Sequence, residues 1–220
     1  MTTRRPTRRR SDGEATRARI LECAGVLFAT NGYAETTSKA VAARARVDLA
    51  SINYHFGNRD GLYKTTLIEA HRRIFHLAEL QQLADSNLPA MGKLEWIVEK
   101  LLSTATMNPN WHVRMVVREL LAPTSHFQVL LAEVLPKFAV IREIFGEITG
   151  IPRDDPALFR CFISTLAPCT VLLLVGGNGA PGPTRDLLEA SRADLTKHMV
   201  RFAMAGLKTI SRDYSARAAR

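Results

Sequence analysis

Residues 36–63, TTSKAVAARARVDLASINYHFGNRDGLY, decide how this chain is read. Thr36, Thr37 and Ser38 offer an N-cap to a short helix that runs to about Ala45. Its apolar side is made of Val41, Ala42 and Ala45, small enough for close packing on its neighbours. Arg46, Val47 and Asp48 form a tight turn, with Val47 placed to plug the core beneath it and Asp48 to cap a second short helix. That helix runs from Leu49 to about Phe56, Gly57 ends it, and Asn58 is placed to cap the one after. Two short helices across a three-residue turn make a helix-turn-helix. The second helix begins at Leu49, itself a candidate contact, and carries Ala50, Ser51 and Asn53 near its start, small or polar enough to enter a major groove about 12 Å wide. There Asn53 is suited to adenine, and Ser51 can bond to several bases. Tyr54, His55, Arg59 and Lys64 fall where a groove-bound helix meets the flanking phosphates. Thr37 and Ser38 can reach phosphate through hydroxyls and helix N-terminal amides.

On the N-terminal side, Ile20, Leu21, Ala24, Leu27 and Phe28 recur at helical spacing until Asn31-Gly32 supplies a stop. Residues 1–12 lack periodicity and read as a flexible basic arm; Arg4, Arg5, Arg8, Arg9 and Arg10 are candidates for the minor groove or phosphates, or a solvated tail. On the C-terminal side a long helix is expected from Arg59 to roughly Leu83. Amphipathic stretches come after it at 90–107, 111–122, 125–149 and 154–175, the last two kinked by Pro136 and Pro168. GGNGAPGP, residues 176–183, is a connecting loop, and a final helix should span 184–210 before a basic tail at 211–220. No segment alternates with period two. The chain is therefore expected to be all-α, with about nine helices: a helix-turn-helix domain at 13–58 and a larger helical domain at 59–210.

Charge agrees with that division. Up to Lys64 there are twelve Lys and Arg against six Asp and Glu, whereas the remainder carries 18 against 15, so the formal charge of +9 is concentrated at the N-terminal end. That points to a polyanionic partner for the first domain. Cys23, Cys161 and Cys169 are odd in number and without CxxC spacing, which argues against a disulfide framework and for a reducing cytoplasm. No apolar run follows the N-terminal arginines, so no secretory signal is read there. The most apolar segment, 159–175, is short for a bilayer and contains Ser164, Thr165, Pro168 and Thr170; a buried helix is expected and no membrane partner.

Catalytic chemistry is not evident. GGNGAPGP lacks the lysine-serine ending of a phosphate-binding loop, no GxSxG is present, and His71 and His76 are five apart, wrong for a shared metal. No catalytic residue, metal or cofactor is expected. Arg114 and Arg118, four apart on one helix face, can receive an acidic effector or pair with a neighbouring helix. Trp111, Met115 and Phe127 are candidates for an effector pocket or for ordinary core.

Residues 14–63 resemble the DNA-binding domain of the TetR family of bacterial transcriptional regulators, with HFGNRDGLY the most specific part. In that resemblance Thr37 and Ser38 match the phosphate-binding start of the second helix, Ser51 and Asn53 fall in the recognition helix, and Arg59 replaces the usual lysine. ASINYHFGNRDGLY, EAHRR, RELLAPTS and VLPKFAVIREIFGEITGIPRDDPALFRCFIS resemble one subgroup whose C-terminal domain has an ill-defined ligand. Two positions depart from the family. Arg46 stands where glycine is favoured at a turn that often needs positive φ, which would cost about 1–2 kcal/mol while adding a cation near the phosphates. Asn53 replaces a tyrosine that often touches DNA. The resemblance implies a homodimer formed through helices 154–175 and 184–210 and a near-palindromic operator in double-stranded DNA. It also implies release by a small-molecule effector, with repression the usual mode. Activation, or an adaptor of the same fold acting through protein contacts, is the alternative.

Overall fold

The computed structural model describes residues 8–106, 111–176, 182, 186, 187 and 191–218. Among them there are ten helical segments and no strand. These are α1 (Arg8–Glu35), α2 (Ser38–Ala45), α3 (Leu49–Phe56), α4 (Arg59–Ile74) and α5 (Leu77–Ala84). They continue with α6 (Ala90–Thr106), α7 (Trp111–Leu121), α8 (Phe127–Thr149), α9 (Pro156–Gly176) and α10 (Arg192–Ala218). The all-α expectation holds, and α6 to α9 fall on the four amphipathic stretches.

The first three helices close around Ile20, Ala24, Phe28, Val41, Ala45, Ile52 and Phe56, all buried. That core is continuous with the core of the larger domain, because α1 and α4 both pack on α7. In the larger domain α6 lies between α9 and α10, and α8 covers α4 and α5.

Element boundaries depart from the sequence reading in four places. The expected single helix from Arg59 to Leu83 is two: it breaks at Phe75, whose backbone is extended (φ −138°, ψ 125°). No glycine or proline marks the break. It lets Phe75 bury its ring while Leu80 and Leu83 of α5 turn inward beside α8. At the N-terminus α1 starts at Arg8, so residues 8–12 of the expected arm are helical, while Arg4 and Arg5 lie outside the described residues. At the other end α10 begins at Arg192, not 184, and runs through the expected basic tail to Ala218. Two contacts hold that tail: the Ser211 hydroxyl donates to the Thr149 carbonyl at 2.6 Å and the Tyr214 hydroxyl to Asp155 at 2.7 Å. Most of GGNGAPGP lies outside the described residues.

Finally, α9 is longer than the apolar segment suggested, and residues Pro156–Leu173 are long and apolar enough to cross a membrane by length and composition alone. In the fold, Leu158, Cys161, Leu166, Cys169 and Leu173 are buried, and α9 packs on α6, α7 and α8. Pro136 and Pro168 sit inside helices that run on through them. All three cysteines are free.

Candidate nucleic-acid interface and its link to the larger domain

Each helix of the motif is fixed by side chains at its ends. The Thr37 hydroxyl accepts from the Ala40 amide at 3.1 Å and caps α2, while the buried Thr36 hydroxyl donates to the Leu27 carbonyl of α1. Arg46 closes α2 in the left-handed region (φ 53°, ψ 51°), the non-glycine positive φ that the sequence flagged. Asp48 caps α3 by accepting from the Ser51 amide at 2.7 Å and the Ser51 hydroxyl at 2.6 Å. These bonds hold the Asp48 carboxyl below its usual range, the hydroxyl contributing most, so it stays ionised at the helix N-terminus. Gly57 ends α3 at φ 77°, and the Asn58 side chain accepts from the Gly61 amide at 2.8 Å to start α4.

Capping in this way leaves one face of α3 bare. Ile52 and Phe56 point into the core, while Leu49, Ala50, Asn53 and Tyr54 share the outer face at i, i+3 and i+4 spacing. Tyr54 is 85% exposed, and its ring meets the His55 ring edge-on at 4.9 Å. Asn53 is exposed on the same face. Ser51 is half-buried and its proton is engaged by Asp48, so it can offer a base only its lone pairs. Around this face Thr37 and Arg46 are exposed and Ser38 half-buried. Lys39 and Arg44, exposed on α2, add two cations that the sequence reading did not single out.

Arg59 and Lys64 are not free cations. The Arg59 guanidinium lies 4.3 Å over the Tyr33 ring, and Lys64 pairs with Asp60 at 2.7 Å. Asp60 also takes a hydrogen bond from the Tyr33 hydroxyl at 3.2 Å and meets the ring of His126. Lys64 first, and then His126, pull the Asp60 carboxyl down to about 2. From His126 the network continues into the larger domain. The Thr124 hydroxyl touches His126 Nδ1 at 3.1 Å and the Glu119 carboxylate at 2.8 Å; Glu119 also accepts from the Thr124 amide at 3.0 Å and from the buried Tyr63 hydroxyl at 2.7 Å. Burial, then Glu119, raises the Tyr63 phenol well above its ordinary range, so it remains a donor. The rings of Tyr33, Tyr63 and His126 meet one another edge-on or tilted, with centroids within about 5 Å. The head of α4 is thereby tied to the α7–α8 turn.

A second tie runs from α7 to α1. Trp111 is buried against Gly25, where a Cβ would sit 2.3 Å from its ring, and its indole donates to Glu22 at 2.8 Å. The Arg118 guanidinium donates to the carbonyls of Thr30 and Asn31, both at 3.3 Å, just before Gly32 turns the chain. Trp111 and Arg118 therefore join α7 to α1.

An apolar cavity of about 220 Å³ lies between α4, α7, α8 and α9. None of Arg114, Arg118, Trp111, Met115 or Phe127, the effector candidates of the sequence, lines it. Met115 is fully buried, Phe127 packs on the core, and Arg114 and Arg118 border a separate pocket of about 340 Å³ beside Ala29 and Thr30. The cavity is lined instead by residues such as Phe75, Leu130, Phe138, Ile141 and Phe162, with His71 and Lys137 as polar members.

The sequence model of the bacterial regulatory proteins of the tetR family matches residues 20–66, and that of the C-terminal domain of the HTH-type transcriptional dual regulator CecR matches residues 90–207. The chain belongs to the TetR family. A comparison with curated proteins gave no match. Among solved structures, a TetR-like transcriptional regulator from Rhodococcus sp. RHA1 superposes with a TM-score of 0.66 at 16% identity, over 92% of this chain and 100% of that one. The MbdR regulator from Azoarcus sp. CIB gives 0.64 at 21% identity, over 86% and 97%. The ketosteroid transcriptional regulator KstR2 of Mycobacterium tuberculosis gives 0.63 at 16%, over 86% and 93%. At such identities these likenesses establish the TetR fold alone. As a TetR-family protein the chain is a DNA-binding transcriptional regulator, with α2 and α3 its helix-turn-helix.

Proposed function

We propose that this regulator acts as a homodimeric repressor, released from a near-palindromic operator when a small molecule enters the cavity. The observation that carries the reading is α3 itself: a helix capped at both ends whose exposed face bears Asn53 and Tyr54, flanked by Arg46, Lys39 and Arg44. In this reading Leu49, Ala50, Ser51 and Asn53 meet base edges, while Thr37, Ser38, Arg46, Tyr54, His55, Arg59 and Lys64 meet phosphates.

Dimerisation through α9 and α10 is supported by the apolar side chains these helices leave uncovered: Phe159, Ile163 and Val171 on α9, Phe202 and Ile210 on α10. Paired across a two-fold axis, they form a four-helix interface and set two copies of α3 toward successive major grooves. The effector step is supported by connectivity. His71 and Ile74 line the cavity from the C-terminal end of α4, and Asp60 and Tyr63 at its N-terminal end are held by the α7–α8 turn. A ligand that shifts α4 changes the separation of the two heads, a coupling of about 1–3 kcal/mol. The reading assigns the protein no catalysis and a cytoplasmic location.

Selection of bound sequences from random DNA tests the proposal. Two inverted half-sites about 34–36 Å apart are expected; enrichment of a single asymmetric site, or of none, would refute it.

A further inference from the structure

The polar end of the cavity has a charge arrangement that ordinary core packing does not require. Lys137 occupies a position on the stripe of α8 that Leu130, Ile141 and Phe145 otherwise keep apolar, and it is only 3% exposed. Its ammonium lies 2.8 Å from His71 Nδ1 and 2.8 Å from Glu133 Oε1. Those two acceptors leave the third of its N–H groups without a partner among the described residues. The Glu133 carboxylate is itself divided, because Arg72 reaches it through Nε at 3.2 Å and Nη2 at 3.4 Å. Burial, then the neighbouring Lys137, presses the His71 imidazole down to about 4, so it meets Lys137 as a neutral acceptor. Two cations thus share one carboxylate at this end. Thr170, the other polar member of the lining, donates its hydroxyl to the Leu166 carbonyl of its own helix.

A buried ammonium costs free energy unless its donors are met and its charge is balanced. Water alone would meet the donor without the charge. A carboxylate entering from the cavity would meet both, while its hydrocarbon body displaced water from the surrounding aromatic and aliphatic walls. The cavity opens on one side, and its free volume of about 220 Å³, below the roughly 300–1,000 Å³ of sites for drug-sized molecules, accommodates the body of a small ligand. Resting on the reading of this cavity as the effector site, we infer that the ligand is a small amphipathic monocarboxylate, its apolar body among Phe138, Ile141 and Phe162 and its carboxylate on the Lys137 ammonium.

The test pairs acids with neutral alcohols of the same shape, octanoate with 1-octanol and 3-phenylpropionate with 3-phenylpropanol, titrated into the full-length protein by calorimetry. Operator affinity is followed in parallel. In at least one pair the acid is expected to bind about tenfold or more tightly than its alcohol, the ratio that one charge-assisted hydrogen bond supplies. Lys137→Met should abolish that preference and leave alcohol binding intact. Lys137→Met removes one partner of a buried pair, but Arg72 still holds the Glu133 carboxylate through Nε and Nη2, so no charge is left unpaired and the variant should remain folded. Glu133→Gln, which removes the competing carboxylate, should tighten the acid; a purely structural Lys137 would give no such gain. Alcohols binding as tightly as acids in both pairs, neither acid binding, or a preference that survives Lys137→Met would overturn the inference. The two readings fail separately. An alcohol that releases operator better than its acid leaves the effector role standing, whereas an acid that binds through Lys137 without moving operator affinity defeats the effector role alone.

Discussion

Asn53 is exposed on the outer face of α3 beside Tyr54, with Ile52 and Phe56 anchoring the helix from behind. Removing its amide touches no packing. Asn53→Ala should therefore cost about 1–3 kcal/mol at the selected operator and little on random DNA, measured by fluorescence anisotropy on both. A uniform loss across sequences would assign Asn53 to the backbone instead. Arg46 offers the opposite experiment. Held at φ 53°, it pays the left-handed penalty, so Arg46→Gly should raise folding stability by about 1 kcal/mol by denaturant unfolding and weaken DNA binding by loss of a cation. Single residues were also where the sequence was most readable, because caps act over three or four positions: Thr37, Asp48, Gly57 and Asn58 each stand where local chemistry put them. Glu119 and Lys137 each have a near partner, Thr124 and Glu133, but the partners that tie them to α4, Tyr63 and His71, are 56 and 66 residues away and escaped notice. A signal did exist. Each is a charge on a helix stripe that is otherwise apolar, Glu119 in line with Met115 and Val116, Lys137 with Leu130 and Ile141.

Among the elements, the α1–α7 seam is the most sensitive to volume. Gly25 admits the Trp111 ring so closely that any side chain must displace it. Gly25→Ala is expected to destabilise the fold by about 1–3 kcal/mol through overpacking, read as a lower denaturant midpoint with an unchanged slope. A neutral result would mean that the seam yields easily. Helix periodicity made α6 to α9 legible, but the break at Phe75 carries no local mark. It arises from burying Phe75, Leu80 and Leu83 at once, which only the packed neighbours dictate. The start of α10 and the helicity of residues 211–218 were missed for the same reason, since contacts to Thr149 and Asp155 hold that end.

For the whole molecule, acid sensitivity should be set first by the cavity. His71 titrates at about 4 in the fold against an ordinary 6.5, so the unfolded chain takes up a proton that the native one refuses. Stability is then flat above pH 6.5 and falls as pH drops from 6.5 toward 4, by at most about 3 kcal/mol. The buried His112 shifts in the same direction through burial and then Arg73, whereas carboxylates such as Asp60 lose their contribution only at lower pH. His71→Gln, which keeps an acceptor for Lys137, should flatten the slope between pH 6.5 and 4.5; midpoints recorded across that window decide it, and an unchanged slope would assign the effect elsewhere.

The pairing of Lys64 with Asp60 has a consequence for how the operator complex responds to ionic strength. A cation that meets phosphate contributes to the salt slope by expelling condensed counterions, about 0.9 in log–log units for each phosphate neutralised. Lys64 already carries a carboxylate as its companion, so it expels less than a bare lysine would. Asp60→Asn keeps an acceptor for Tyr33 and His126 while stripping that companion away. Operator affinity in the variant should then fall more steeply with added salt, by up to about one unit of slope, and an identical slope would mean that Lys64 never reaches the duplex.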